Sequence, residues 1–237
     1  MKDRGVGRRD FLKGAAVAGA ASVASAPAIL PEPASAQPAA SAGPSAAGYS
    51  FLNLEEAAFV ETLVDHMVPA DELSPKGTDI GINIYIDRAL SSAWGKGDRC
   101  YMQGPWKLGV PSQGYQLPLT PAALYRAGIA ATNRHCMKTY GKLFDHISES
   151  EREAVLRDLD NGKLVFDDGP PSRVFFAIVY QTVMEGMFSD PIYGGNRNKA
   201  GWKMLGFPGV LAVHQQNITN FKNKKFPGEP MGIADMS

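Results

Sequence analysis

Apolar residues recur at helical spacing along most of the chain after residue 50. Val60, Leu63, Val64, Met67 and Val68 occupy one stripe of a helix, and Asn53 with Glu56 three places later forms a capping box at its start. Pro69 ends it, because proline cannot donate to the helical ladder. Over 80–94 two periods compete. Ile80, Ile82, Ile84 and Ile86 alternate like a strand, but Ile82, Tyr85, Ile86, Ala89 and Leu90 follow a helix, and only the helical stripe extends through Ala89 and Leu90. A helix is predicted there. Residues 95–119 hold five Gly and three Pro and predict a long irregular loop, a feature often tied to function.

Thr120 followed by Pro121 marks a helix start, and the stripe Tyr125, Ile129, Thr132, Cys136, Tyr140, Leu143 and Ile147 predicts a long helix to about residue 147. Ser148 and Glu151 form a second capping box, opening a short helix that stops at Asn161-Gly162. Ser172 is expected to cap the most apolar helix, reaching about Phe188. Its run from Val174 to Tyr180 is almost continuously apolar and predicts burial on all sides. Glycine-rich loops, a short turn at Trp202–Leu205 and a polar tail from His214 follow. The expected fold is all-α: a single irregular domain of about five to six helices with long Gly/Pro-rich loops.

The first 36 residues are a targeting segment rather than fold. Arg8, Arg9, Asp10, Phe11, Leu12 and Lys13 precede a weakly apolar Ala/Gly stretch, and Ala34-Ser35-Ala36 offers a cleavage site before Gln37. This is the pattern of a twin-arginine export signal. The alternative site, Ala24-Ser25-Ala26, is weakened by Pro27 directly behind it. Residues 37–48 read as a flexible leader, 49–213 as the helical domain and 214–237 as the polar C-terminal tail. Twin-arginine transport moves folded cargo, so the chain either holds a cofactor or travels with a partner that does.

Composition narrows the chemistry. The 24 basic and 24 acidic residues balance, which argues against nucleic acid as a partner. Residues 1–36 carry five basic and three acidic residues, so the mature chain keeps 19 and 21, a net charge of about −2. No G-x-G-x-x-G follows a strand, and there is no P-loop, no C-x-x-C-H and no G-x-S-x-G. Glu-x-x-His pairs are absent: Leu63, Thr132, Leu143 and Leu211 stand three before His66, His135, His146 and His214. No catalytic, cofactor-binding or metal-ligating residue is therefore assigned.

Two features remain. Export leads to an oxidising compartment, where Cys100 in the loop and Cys136 on the long helix are expected to form a disulfide that contributes about 4 kcal/mol. The alternative is two separate thiols. The second feature is the block "GMFSDPIYGGNRNKAGWKMLGFPG" over 186–209. Its glycines permit positive φ and close backbone approach, and its aromatics supply interface anchors. Asp190, Tyr193, Gly194, Gly195, Asn196, Arg197, Trp202, Gly206, Phe207, Pro208 and Gly209 are the expected partner interface. The competing reading is a C-terminal lid packed on this domain's own core.

That block, with the twin-arginine start, the helix beginning "FLNLEEAAFVETLVDHMVP" and the stretch "GPWKLGVPSQGYQLPLTPAALYR", resembles the gluconate 2-dehydrogenase subunit 3 family over most of 51–210. The resemblance implies the small subunit of a three-part complex on the outer, periplasmic face of the bacterial inner membrane. In such complexes an FAD-containing large subunit does the chemistry and a multi-haem cytochrome c passes electrons on. The small subunit is expected to carry the flavoprotein through the twin-arginine translocase. FAD and haem c are then expected in the partner subunits and no cofactor in this chain. Two other readings stand beside it: a metal-binding helical enzyme, and a periplasmic module that binds a ligand with the 95–119 loop.

Overall fold

Both halves of the first capping box are made. Asn53 accepts the backbone N–H of Glu56 at 2.9 Å, and the Glu56 carboxylate accepts that of Asn53 at 3.0 Å, so α1 runs Leu54–Met67. Helix α2 (Ile82–Ser91) leaves from Gly81, whose φ of 82° suits only glycine comfortably. Thr120 caps α3 (Pro121–Tyr140) through the N–H of Ala123, and Ser148 with Glu151 closes the box that starts α4 (Glu149–Asp160). Then come α5 (Ser172–Phe188) and two short helices, α6 (Ala200–Leu205) and α7 (Gln215–Asn220). This computed structural model describes residues 48–236 apart from Arg99, Tyr101, Leu108, Gly114 and 211–214. The proposed signal residues Arg8, Arg9, Phe11, Leu12 and Lys13, the Ala36/Gln37 cleavage site, most of the leader and His214 lie outside the described residues.

The described residues form no strand, and the fold is all-α. Its centre is α5, packed against α2, α3, α4 and α6. Phe175, Val179 and Val183 of α5 meet Ile82 and Ile86 of α2, Tyr125 and Ile129 of α3 and Phe59 and Leu63 of α1 in one core. Each such side chain contributes about 1.5–3 kcal/mol by leaving water. Gly128 is what lets α3 approach α5: a Cβ there would run into the Phe175 ring. That ring sits edge-on to Tyr125, centroids 6.1 Å apart, and the Tyr125 hydroxyl pairs with that of Thr182.

The chain enters the domain through a polar latch. The buried Asp87 carboxylate accepts the backbone N–H groups of Ser50, Phe51 and Leu52 at 2.8–3.0 Å. Arg126 lies 4.1 Å over the Phe51 ring, donates to the Phe51 carbonyl and pairs with Glu56 at 3.2 Å.

Four expectations are corrected. The long helix ends at Tyr140, not near 147, because Gly141 turns left-handed at φ 71°; Phe144 and Ile147 still reach the core, through a 3₁₀ turn. Helix α5 is not surrounded on all sides: Ala177, Tyr180 and Met184 face outward, and its cap position is Pro171, with Ser172 its first residue. The Cys100–Cys136 disulfide is not formed; both are free thiols. Gly97 packs on Thr120, and the Cys100 N–H bonds the Gly97 carbonyl, which keeps Cys100 at the N-terminal end of α3. Cys136 is sixteen residues along that helix, about 24 Å at 1.5 Å per residue, and bridged Cα atoms lie within about 7 Å. Burial pushes the Cys136 thiol up to about 11.

Candidate functional site

The block from 190 to 209 is built outward from α5. Asp190 opens it, accepting the Ile192 N–H at 3.0 Å and starting a 3₁₀ turn that ends at Gly194. Gly194 backs onto Ile84 and Arg88 of α2. Gly195 sits so close to α5 that a Cβ would collide with the Gly186 carbonyl. Asn196 is fully buried at φ 46°, a conformation that costs a non-glycine residue energy. Its side chain compensates by bonding both sides of the loop, donating to the Ser189 carbonyl at 2.8 Å and accepting from the Gly201 N–H at 2.9 Å. The Arg197 N–H reaches the Ile80 carbonyl at 2.9 Å, tying the loop to the turn before α2.

Trp202 on α6 is 5% exposed; its indole N–H donates to the Phe188 carbonyl at 2.7 Å, and Phe207 stands edge-on to it at 5.5 Å. Gly206, at φ 66°, ends α6. Beyond the block the C-terminal segment returns. Gly209 and Met231 form a parallel bridge, Asp190 accepts the Ile233 N–H at 2.7 Å, and Lys199 pairs with Asp235. The Lys199 ammonium and the Gly232 amide hold the Asp235 carboxyl below the usual carboxylate range.

The expected interface residues therefore divide. Gly194, Gly195, Asn196, Trp202 and Gly209 are buried within this chain, while Asp190, Phe207 and Pro208 are half-buried. Tyr193, Arg197 and Gly206 face out, Tyr193 at 56%. Around them stand exposed apolar side chains that were not singled out from the sequence: Ile192, Leu205, Ile233 and Met236. For Ile192, Leu205 and Ile233 the only signal in the sequence is an apolar residue next to a turn-forming Pro or Gly; Met236 carries none. Grouped large apolar side chains facing water mark interaction surfaces.

A second concavity, of about 550 Å³, lies where α1, α4 and α5 meet and is lined by Met67, Leu156, Phe176 and Tyr180. Charged groups of both signs line it too: His66 lies 3.2 Å from Glu153, which also binds Arg157 at 2.7 Å, and Asp160 stands with them. Among the described residues no three His, Cys, Asp or Glu side chains are grouped to hold a metal ion, and no helix is long and apolar enough to cross a membrane.

Comparison with known proteins identifies both ends of this architecture. Residues 5–25 match the twin-arginine translocation pathway signal sequence, so the chain is exported across the cytoplasmic membrane. No curated protein and no solved structure matches the chain. Residues 54–209, which hold α1 to α6 and the whole 190–209 block, match Gluconate 2-dehydrogenase subunit 3, and the chain belongs to that family.

Proposed function

We propose that this chain is the non-catalytic small subunit of a periplasmic, membrane-associated, FAD-dependent sugar-acid dehydrogenase, escorting the flavoprotein through export and stabilising it. Membership of the subunit 3 family and the twin-arginine signal make it an exported gluconate dehydrogenase subunit. The observation that carries the finer reading is that signal on a chain whose family-matched end turns Ile192, Tyr193 and Leu205 to solvent. A translocase that accepts folded cargo lets one signal serve two chains only if they bind before crossing. The large subunit would hold FAD, a multi-haem cytochrome c would take the electrons, and this chain would supply contact area.

The rigid part of the block suits that task. Asn196 and Trp202 hold the loop in one shape, so docking costs little ordering entropy. Replacing Arg8 and Arg9 by lysines tests the reading. Both this chain and the flavoprotein should stay in the cytoplasmic fraction, measured by flavin content and immunoblot of the fractions. A flavoprotein that still reaches the periplasm would overturn the escort role.

A further inference from the structure

We infer that the cleft between α6 and the C-terminal segment receives an acidic segment of the flavoprotein partner, with an apolar side chain seated on its floor and carboxylates on Lys224 and Lys225. This inference rests on the small-subunit reading above and specifies the chemistry of the partner's surface.

The cleft measures about 370 Å³, near the low end of pockets that hold small ligands, about 300–1,000 Å³. That is room for one or two side chains rather than a whole cofactor. Leu205, Pro208, Phe221 and Phe226 line it, the two phenyl rings edge-on at 5.3 Å. Lys224 and Lys225 line it as well and are exposed, as is Lys222 two residues before them in sequence.

The charge balance selects the occupant. Nearby Lys199 and Lys203 are paired with Asp235 and Glu229. Among the described residues no carboxylate pairs with Lys222, Lys224 or Lys225, so three like charges lie within four positions of sequence. An apolar floor beneath unpaired ammonium groups is complementary to an apolar side chain flanked by carboxylates, whose charge-assisted bonds are stronger than neutral ones. The α1–α4–α5 concavity, with His66 and Arg157 beside Glu153 and Asp160, offers no such cationic preference. Leu205, Gly206 and Pro208 belong to both the cleft and the family-matched block, so a partner on the block extends directly into the cleft.

The test is charge reversal, Lys224→Glu with Lys225→Glu, in the full mature chain. The probe is the flavoprotein recovered with the wild-type chain, titrated at low and high salt, with thermal unfolding as the folding control. Both lysines are exposed, so the variant should melt with the wild type. Wild-type affinity should fall with salt, and the reversal should weaken binding by at least about 10-fold and remove most of the salt dependence. Leu205→Ser should weaken binding with the salt dependence retained. If the reversed variant binds the flavoprotein as the wild type does, the cleft assignment is wrong and the small-subunit reading stands. If it does so but loses binding to phosphatidylglycerol vesicles, the lysines serve a lipid surface instead and the inference is overturned. If the wild type recovers no flavoprotein at all, the underlying reading fails and the inference with it.

Discussion

Replacing Trp202 by alanine removes a side chain that is 5% exposed, breaks a 2.7 Å bond to the Phe188 carbonyl and strips Phe207 of its edge-on partner. Deleting a buried Trp costs about 3–5 kcal/mol, since the neighbours relax only partly into the cavity. At about 2–4 °C per kcal/mol for a chain of this size, the midpoint of thermal unfolding should fall by about 10 °C. Tyr193→Ala provides the contrast. At 56% exposure its loss should change stability by less than about 0.5 kcal/mol. If Tyr193 is an anchor of the partner contact, its removal should cost about 2 kcal/mol in binding, roughly a 30-fold loss of affinity.

Two measurements on the same mature proteins separate these effects: thermal unfolding by circular dichroism, and titration with the flavoprotein at a temperature where both variants are folded. Trp202→Ala should lose stability and Tyr193→Ala affinity. A Trp202→Ala protein that melts within about 2 °C of wild type would refute the reasoning, because a Trp with this burial and this bond cannot be removed so cheaply. A Tyr193→Ala protein that binds with full affinity would remove Tyr193 from the contact and leave Ile192 and Leu205 to be tested in its place.

Two further outcomes follow from the geometry. At pH 8 without denaturant a thiol reagent should label Cys100 quickly and Cys136 negligibly, since burial raises Cys136 to about 11 and keeps it protonated; in denaturant without reductant two thiols should titrate, and fewer than two would mean that a bridge exists. Asp87→Ala orphans three backbone N–H groups, of which that of Leu52 is out of reach of water, so stability should fall by about 3 kcal/mol in denaturant unfolding, and a loss under about 1 kcal/mol would show that the latch is dispensable.

What could be read from sequence was local. The capping pairs Asn53–Glu56 and Ser148–Glu151, and Thr120 before Pro121, act within one turn, so residue spacing alone placed three helix starts. The errors came where tertiary packing decided. Leu143 and Ile147 continue the apolar pattern of α3, but Gly141 has already turned the backbone out of the helix, and it is Phe144 and Ile147 that fill the core from a 3₁₀ turn. The apolar run of α5 predicted all-round burial, yet α5, packed against four helices, leaves one stripe uncovered and turns Tyr180 and Met184 to water. Apolar content reports that a surface seeks cover, not whether this chain supplies it. The disulfide failed for a related reason: pairing two cysteines by elimination ignores where a loop lands on a helix.

The 190–209 block combines both situations. Its glycines and aromatics were visible as a group, but composition could not tell which of them pack on this domain and which face water, and the structure divides the block between the two. Gly195, Asn196 and Trp202 satisfy the contacts of a lid, including an Asn held at positive φ by bonds to two separate backbone groups. A glycine at 196 would relieve the strain. A glycine, however, would lose the two side-chain bonds that satisfy the Ser189 carbonyl and the Gly201 N–H. The positive φ of Asn196 is thus offset by the bonds that its side chain makes, which hold the start of the block and the start of α6 together against α5.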